Sequence, residues 1–116
     1  MIASCPVVLY TGSLVPKEVI AHARPDATVM DSSGMTLEQI VEVIVAARDA
    51  DQDVARVHTG DPMIFGRGGE EMDELRKAEV PFDVIPGISA VQAAASKLKV
   101  SLTHRDHAKR LHFFLS

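Results

Sequence analysis

Two glycine-containing segments carry residue types suited to binding a ligand with an adenosine group. The first is His58-Thr59-Gly60-Asp61-Pro62 and the second is Pro86-Gly87-Ile88-Ser89-Ala90. A glycine lets the backbone approach a ligand closely, and a carboxylate such as Asp61 accepts hydrogen bonds from hydroxyl or ammonium groups. The second segment leads into a predicted helix, whose first N–H groups lack partners within the helix. The same residue types also follow strands for conformational reasons alone, so both interpretations stay open at this point.

The histidines raise the question of a metal site. His104 and His107 are three residues apart, and His112 follows them. Structural zinc sites combine several cysteines and histidines, and catalytic ones often use His-Glu-x-x-His on a helix. The chain has one cysteine and lacks that helical pattern. The sequence therefore predicts no metal, and we expect this region to be a polar surface loop.

Five further residues have reactive side chains. Cys5 lacks the neighbours of a catalytic cysteine and is expected to be a small buried hydrophobe. Glu70 and Glu71 are adjacent near a predicted helix start, where acidic residues simply complement the helix dipole. Arg67 and Arg105 fall in predicted loops, and arginine binds carboxylates well, which makes both candidates for binding an acidic substrate.

Length and composition predict one small domain over residues 1–116. No apolar run reaches the ~18 residues needed to span a membrane, so a membrane-spanning protein is excluded. Twelve Lys and Arg residues face sixteen Asp and Glu residues, and four Phe and one Tyr are the only aromatic residues. Nucleic-acid binding is therefore not expected. A single cysteine cannot form an internal disulfide, which favours a cytoplasmic location.

Short β-branched runs alternate along the chain with segments of helical periodicity. Strands are predicted over residues 6–10, 27–30, 54–57 and 82–85. Helices are predicted to follow Pro16, Thr36, the glycine-rich turn 66–69, and Ser89 (through about Leu98). Thr36 and Gln39 have the spacing of a capping box. This alternation predicts an α/β fold, an open and mostly parallel sheet flanked by helices, with ligands bound at the carboxyl ends of its strands.

Four motifs in this order resemble the N-terminal domain of the tetrapyrrole (corrin/porphyrin) methyltransferases. They are Val8-Leu9-Tyr10-Thr11-Gly12-Ser13-Leu14-Val15-Pro16, Gly34-Met35-Thr36-Leu37-Glu38-Gln39-Ile40, Val57-His58-Thr59-Gly60-Asp61-Pro62 and Val84-Ile85-Pro86-Gly87-Ile88-Ser89-Ala90. The resemblance covers nearly the whole chain. Four ordered motifs are more specific than any single glycine-rich loop.

The resemblance implies S-adenosylmethionine as methyl donor, S-adenosylhomocysteine as product and a cyclic tetrapyrrole as acceptor. It implies cofactor contacts at Thr59, Gly60, Asp61, Ile64, Ser89 and Ala90, and it makes Arg67 and Arg105 candidates for the substrate's carboxylates. The first two motifs are most similar to family members of cobalamin biosynthesis that methylate precorrin-4 at C11. The glycine-rich turn and Leu102-Thr103-His104-Arg105 resemble members that methylate uroporphyrinogen III, which is the alternative substrate.

Two family features are missing from the sequence. The family opens with a strand and a Gly-Ala-Gly-Pro-Gly-Asp loop, and it has a second α/β domain that closes the active site. We therefore expect the 116 residues to be truncated at both ends and to have negligible methyltransferase activity alone. A sheet without its first strand exposes an edge, so a homodimer is expected. A truncated, non-catalytic binding module remains an alternative.

Overall fold

A three-stranded parallel sheet organises the computed structural model, which describes residues 1–64 and 66–114. The strands are β1 (Val7–Tyr10), β2 (Thr28–Asp31) and β3 (Val54–Val57). Their order across the sheet is β2-β1-β3, and β1 runs parallel to both neighbours. The predicted parallel α/β fold is confirmed, with the second strand lying one residue later than expected.

The register brings the carboxyl ends of the strands to one edge of the sheet. Tyr10 of β1 lies opposite Asp31 of β2 and Val57 of β3. Residues that directly follow the strands therefore emerge side by side at this edge, where open parallel sheets bind ligands. Ser32 and His58 are two of them, and both line a cavity there.

The two faces of the sheet bury different sets of apolar side chains. The helices of the described residues are α1 (Lys17–Ile20), α2 (Leu37–Asp49), α3 (Gly68–Lys77) and α4 (Ala90–Leu98). On the face covered by α2 and α3, the buried cluster consists of Leu9, Ile40, Ile44 and Leu75. Val8 precedes Leu9 in β1, and it packs on the opposite face with Cys5 and Ala55 because side chains alternate along a strand. The prediction of a buried Cys5 is confirmed.

Helix α2 begins where the sequence predicts. The Thr36 hydroxyl accepts a hydrogen bond from the Gln39 backbone N–H at 3.2 Å, and the Gln39 side-chain oxygen accepts one from the Thr36 N–H at 2.9 Å. This reciprocal capping box satisfies two N–H groups that a helix start otherwise leaves unpaired. Helices α1 and α4 likewise follow Pro16 and Ser89.

Residues 82–85 do not form the strand that their sequence predicts, so this prediction was wrong. The backbone groups of a strand need a neighbouring strand as hydrogen-bonding partner. Within the described residues β3 is the edge of the sheet, and no strand pairs with residues 82–85. The side chains of Val84 and Ile85 are consequently 41% and 53% exposed.

Neither a membrane span nor a metal cluster is found in the part of the chain that the structure describes. None of its helices combines the length and the apolar character needed to cross a bilayer. No group of three or more His, Cys, Asp or Glu side chains in residues 1–64 and 66–114 is arranged to hold a metal ion. The rings of His104 and His107 instead stack on each other, with centroids 4.7 Å apart, in an exposed turn.

Candidate cofactor site

A cavity of about 480 Å³ lies at the carboxyl edge of the sheet. This volume falls within the roughly 300–1,000 Å³ of small-molecule sites. The lining includes residues after each strand and residues near the start of α3: Thr11, Ser33, Thr59, Asp61, Ile64 and Arg67. Four residues singled out from the sequence thus lie together here, three as cofactor contacts and Arg67 as a substrate contact.

The two glycine-containing segments meet at Asp61. The Gly87 N–H donates to Asp61 Oδ2 at 3.1 Å, and the Met63 N–H donates to Asp61 Oδ1 at 2.8 Å. A Cβ atom at position 87 would lie 2.1 Å from the Gly60 carbonyl oxygen, so the close approach requires glycine there. Gly60 has φ +63°, a left-handed conformation that also favours glycine. The two segments therefore lie in contact, although no strand leads into the second one.

Ser89 lies at the N-cap of α4, but its side chain does not cap the helix. The residue is 6% exposed, and its Oγ has no hydrogen-bond partner within the described residues. Leaving a buried hydroxyl unpaired costs about 1–3 kcal/mol, so such a group calls for a ligand or a bound water. Ala90, the first residue of α4, is exposed beside it.

A buried ion pair joins β3 to α3 at the same edge. Arg56 donates two parallel hydrogen bonds to Glu71, from Nε to Oε2 at 3.0 Å and from Nη2 to Oε1 at 2.8 Å. Arg56 Nη1 also donates to Ser32 Oγ at 2.9 Å and to the Leu9 carbonyl at 3.3 Å. The Ser32 hydroxyl in turn donates to the Tyr10 carbonyl at 3.0 Å. One guanidinium therefore connects all three strand ends with a helix.

Glu71 carries a negative charge in this network at neutral pH. Burial alone would raise the pKa of its carboxyl group. The nearby His58 ring and the hydrogen-bonded, positively charged guanidinium of Arg56 act in the opposite direction and lower the pKa of Glu71 to about 2. His58 Nε2 lies 3.6 Å from Glu71 Oε2.

The expectation that Glu71 merely complements the helix dipole was wrong, because the side chain is buried and paired. A signal was present in the sequence on both elements. Arg56 alternates with Ala55 and so shares a strand face with Val54, and Glu71 precedes Leu75 by four residues, one helical turn. Both charged residues therefore occupy faces that bury apolar neighbours. Glu70, by contrast, is exposed as expected.

The two candidate arginines lie in different places. Arg67 lines the cavity immediately before α3. Arg105 is exposed in the turn between His104 and Ala108, and it is not among the residues that line the cavity. The structure thus brings one of them to the site.

Similarity to known proteins agrees with the resemblance in the four motifs. A model of the tetrapyrrole (corrin/porphyrin) methylases matches residues 1–112. The chain belongs to this family. The precorrin-4 C(11)-methyltransferase of Rhodococcus erythropolis is 45% identical over 103 residues, which cover 89% of this chain and 41% of that protein. Siroheme synthase 1 of Aeromonas hydrophila subsp. hydrophila is 42% identical over 113 residues, covering 92% of this chain and 24% of that one.

Solved structures of other tetrapyrrole methylases share the fold. A cobalt precorrin-4 methyltransferase of cobalamin biosynthesis superimposes with a TM-score of 0.86 at 37% identity, covering 90% of this chain and 44% of that one. The uroporphyrin-III C-methyltransferase of Thermus thermophilus complexed with S-adenosylhomocysteine superimposes with a TM-score of 0.67 at 34% identity. The superposition covers 90% of this chain and 41% of that one. The chain therefore spans less than half the length of these relatives.

Proposed function

We propose that this chain forms the S-adenosylmethionine-binding part of an enzyme that methylates a carbon of a cyclic tetrapyrrole in cobalamin biosynthesis, with precorrin-4 methylated at C11. Family membership and the names of the relatives from Rhodococcus erythropolis and Pseudomonas aeruginosa support this reaction. The observation that carries the cofactor assignment is the meeting of the two glycine segments at Asp61, beside a cavity at the carboxyl edge.

The residues at this junction fit S-adenosylmethionine and its product. We assign cofactor contacts to Thr59, Gly60, Asp61, Ile64, Ser89 and Ala90. Each Asp61 oxygen accepts one backbone hydrogen bond, and a carboxylate offers about four acceptor positions, so capacity remains for a ribose hydroxyl or an ammonium group. The unpaired Ser89 hydroxyl and the first N–H groups of α4 supply further polar partners.

Catalysis by this chain would consist of binding and alignment. Bound S-adenosylmethionine supplies an electrophilic methyl group on a sulfonium sulfur. The cavity residues hold the acceptor carbon in line with that methyl group and exclude water, which lowers the barrier through proximity and orientation. Of the two candidate arginines, Arg67 is assigned to a carboxylate of the substrate, because it lines the cavity and guanidinium groups bind carboxylates through two parallel hydrogen bonds. Arg56 is already occupied by Glu71, Ser32 and Leu9.

A second candidate is methylation of uroporphyrinogen III in the siroheme branch. The similarity to siroheme synthase 1 of Aeromonas hydrophila subsp. hydrophila favours it, as does a Thermus thermophilus uroporphyrin-III C-methyltransferase structure with a TM-score of 0.76. The identity of 42% to siroheme synthase 1 is below the 45% to the Rhodococcus erythropolis precorrin-4 enzyme, and the TM-score of 0.76 is below the 0.86 of the cobalt precorrin-4 methyltransferase. Competition between the two tetrapyrroles for binding distinguishes the candidates, and tighter binding of uroporphyrinogen III would favour the second.

A cytoplasmic homodimer is part of the same proposal. Within the described residues the outer edge of β3 is unpaired, and an exposed strand edge favours pairing with another chain. The single cysteine suits a reducing compartment. Analytical ultracentrifugation over a range of concentrations tests the dimer, and a monomer throughout would contradict it.

Calorimetric titration with S-adenosylhomocysteine tests the proposed function. We expect a Kd of about 1 μM or below for the unmodified chain. Asp61→Asn should weaken binding about tenfold. The side-chain amide nitrogen that replaces one carboxylate oxygen cannot accept a hydrogen bond from the Gly87 N–H, so the contact between the two loops is lost. Asp83→Asn, an exposed change in the adjoining segment, is the matched control and should bind normally. No binding by the unmodified chain would contradict the proposal and favour a non-catalytic binding module.

A further inference from the structure

We propose that Arg56 and Glu71 are positioning residues: their ion pair fixes the start of α3 against the strand ends and thereby holds the loop 59–64 and Arg67 in place. The inference rests on the proposed function, because this loop is the one assigned to the cofactor. Both residues line the cavity, but the Arg56 donors are directed at protein acceptors, so the pair acts through its neighbours.

Arg56 joins its own strand to three other parts of the chain. It belongs to β3, and it donates to Glu71 of α3, to the Leu9 carbonyl of β1 and to the Ser32 hydroxyl after β2. Both side chains of the ion pair are largely shielded from solvent: Arg56 is 15% exposed and Glu71 is 6% exposed. The relative placement of these parts therefore depends on one rigid, planar group.

The first turn of α3 connects the ion pair to the loop 59–64. The Glu71 N–H donates to the Arg67 carbonyl at 2.9 Å, so the two residues move together. A Cβ atom on Gly68 would lie 2.4 Å from the Pro62 carbonyl oxygen, which shows how closely the helix start lies against the loop. A shift of α3 along the sheet would therefore displace both Arg67 and Pro62.

The free energy of the buried ion pair points to a role in geometry and not in stability. Removing two charges from water is expensive, and a buried ion pair is often no more stable than well-packed apolar residues of similar volume. An apolar pair would suit this location, because Ile40 also lines the cavity and Leu75 is one turn from Glu71. An apolar pair does not form the two parallel hydrogen bonds between guanidinium and carboxylate. These bonds fix the placement of the helix relative to the strand.

The test compares a buried and an exposed ion pair on the same helix. The buried pair is replaced in the double variant Arg56→Met with Glu71→Leu. The control is Glu74→Gln with Lys77→Met, which removes a pair whose side chains are 39% and 71% exposed. Three quantities are measured on the full chain: the urea midpoint, amide hydrogen exchange in residues 59–64 and 68–71, and the Kd for S-adenosylhomocysteine.

We expect the buried double variant to keep a urea midpoint close to that of the unmodified chain. Its loop amides should nevertheless exchange about tenfold faster, and its Kd for S-adenosylhomocysteine should rise about tenfold, because the site is no longer held in one geometry. The exposed double variant should change none of the three quantities. A role in stability alone would not accelerate loop exchange at an unchanged midpoint.

A second variant, Arg56→Lys, keeps the test decisive if the apolar pair does not fold. Lysine retains the charge but not the planar fork, so loop exchange should again accelerate selectively. Unchanged loop exchange in the folded variants would overturn the proposal, and so would acceleration spread evenly over the molecule. If the unmodified chain fails to bind S-adenosylhomocysteine, the proposed function is lost, while the exchange data still decide the positioning role.

Discussion

Residues 54–57 and 82–85 are both short runs of strand-forming character, yet only the first is a strand. Residues 54–57 pair with β1 along their whole length. Residues 82–85 have no neighbouring strand within the described chain. The comparison shows that residues with a high propensity for strands form one only where a neighbouring strand supplies hydrogen-bonding partners.

The same contrast separates residues 1–80 from residues 82–114 more generally. All the buried hydrophobic side chains that form the core lie between Cys5 and Leu75. Nine of the thirteen large hydrophobic side chains that are exposed in the described residues lie between Val84 and Phe114. The second region contacts the first through Phe82, against the cluster around Leu9, and through the segment at Gly87. The proposed cofactor site thus lies where a well-packed region meets a sparsely packed one.

The largest effect should come from removing one partner of the ion pair in the well-packed region. Arg56→Met leaves the Glu71 carboxylate buried without its principal partner, which typically costs about 3–5 kcal/mol of unfolding free energy. Lys77→Met removes an exposed partner and should cost less than about 1 kcal/mol. Urea unfolding followed by circular dichroism measures both. Similar losses in the two variants would contradict the distinction between buried and exposed pairs.

Acid should destabilise the well-packed region through the same carboxylate. The pKa of Glu71 falls from its ordinary 4.5 to about 2 on folding. Its stabilising contribution is therefore complete above pH ~4.5 and is lost as the pH falls toward about 2, with a magnitude on the order of 2 kcal/mol. The measurement is the urea midpoint between pH 6 and pH 2.5. Glu71→Gln should flatten this dependence, and an equally steep profile in that variant would be evidence against the assignment.

A smaller effect is expected where the two regions touch. Gly87→Ala places a Cβ atom against the Gly60 carbonyl and should cost on the order of 1 kcal/mol, because the sparsely packed segment can move aside at the expense of the contact. Gly69→Ala is the control, since nothing lies within 4 Å of its Cβ position and alanine favours the helix by about 0.5–1 kcal/mol. Thermal unfolding compares the two. A neutral Gly87→Ala would show that the close approach is not needed.

Much of residues 1–80 could be predicted from sequence because its signals are local. The capping box at Thr36 and Gln39 fixes the start of α2, and the β-branched run 54–57 lies between clear breaks. In the structure, the apolar side chains of α2 and β3 also pack in the same cluster around Leu9. The failure at residues 82–85 has the opposite cause, because no local pattern states whether a neighbouring strand is present.

The proposed cofactor site was predictable in part for a related reason. Gly60 and Asp61 are recognisable as loop residues that follow β3 at the carboxyl edge of the sheet. Gly87 follows a predicted strand that does not form, and its backbone N–H nevertheless reaches Asp61. The ion pair of Arg56 and Glu71 joins residues fifteen positions apart on different elements, so it depends on how α3 lies on the sheet. Each residue alone has an ordinary explanation, and only the packed structure shows that they meet.

The central claim is that S-adenosylhomocysteine binds where the two regions meet. Two-dimensional ¹H–¹⁵N NMR of the labelled chain during a titration with that compound tests it most directly, because each backbone amide reports its own surroundings. We expect the largest shifts in residues 59–64 and 87–90, with smaller ones at Arg67. Saturating additions that leave these amides unmoved, or that shift only residues elsewhere such as 101–108, would contradict it.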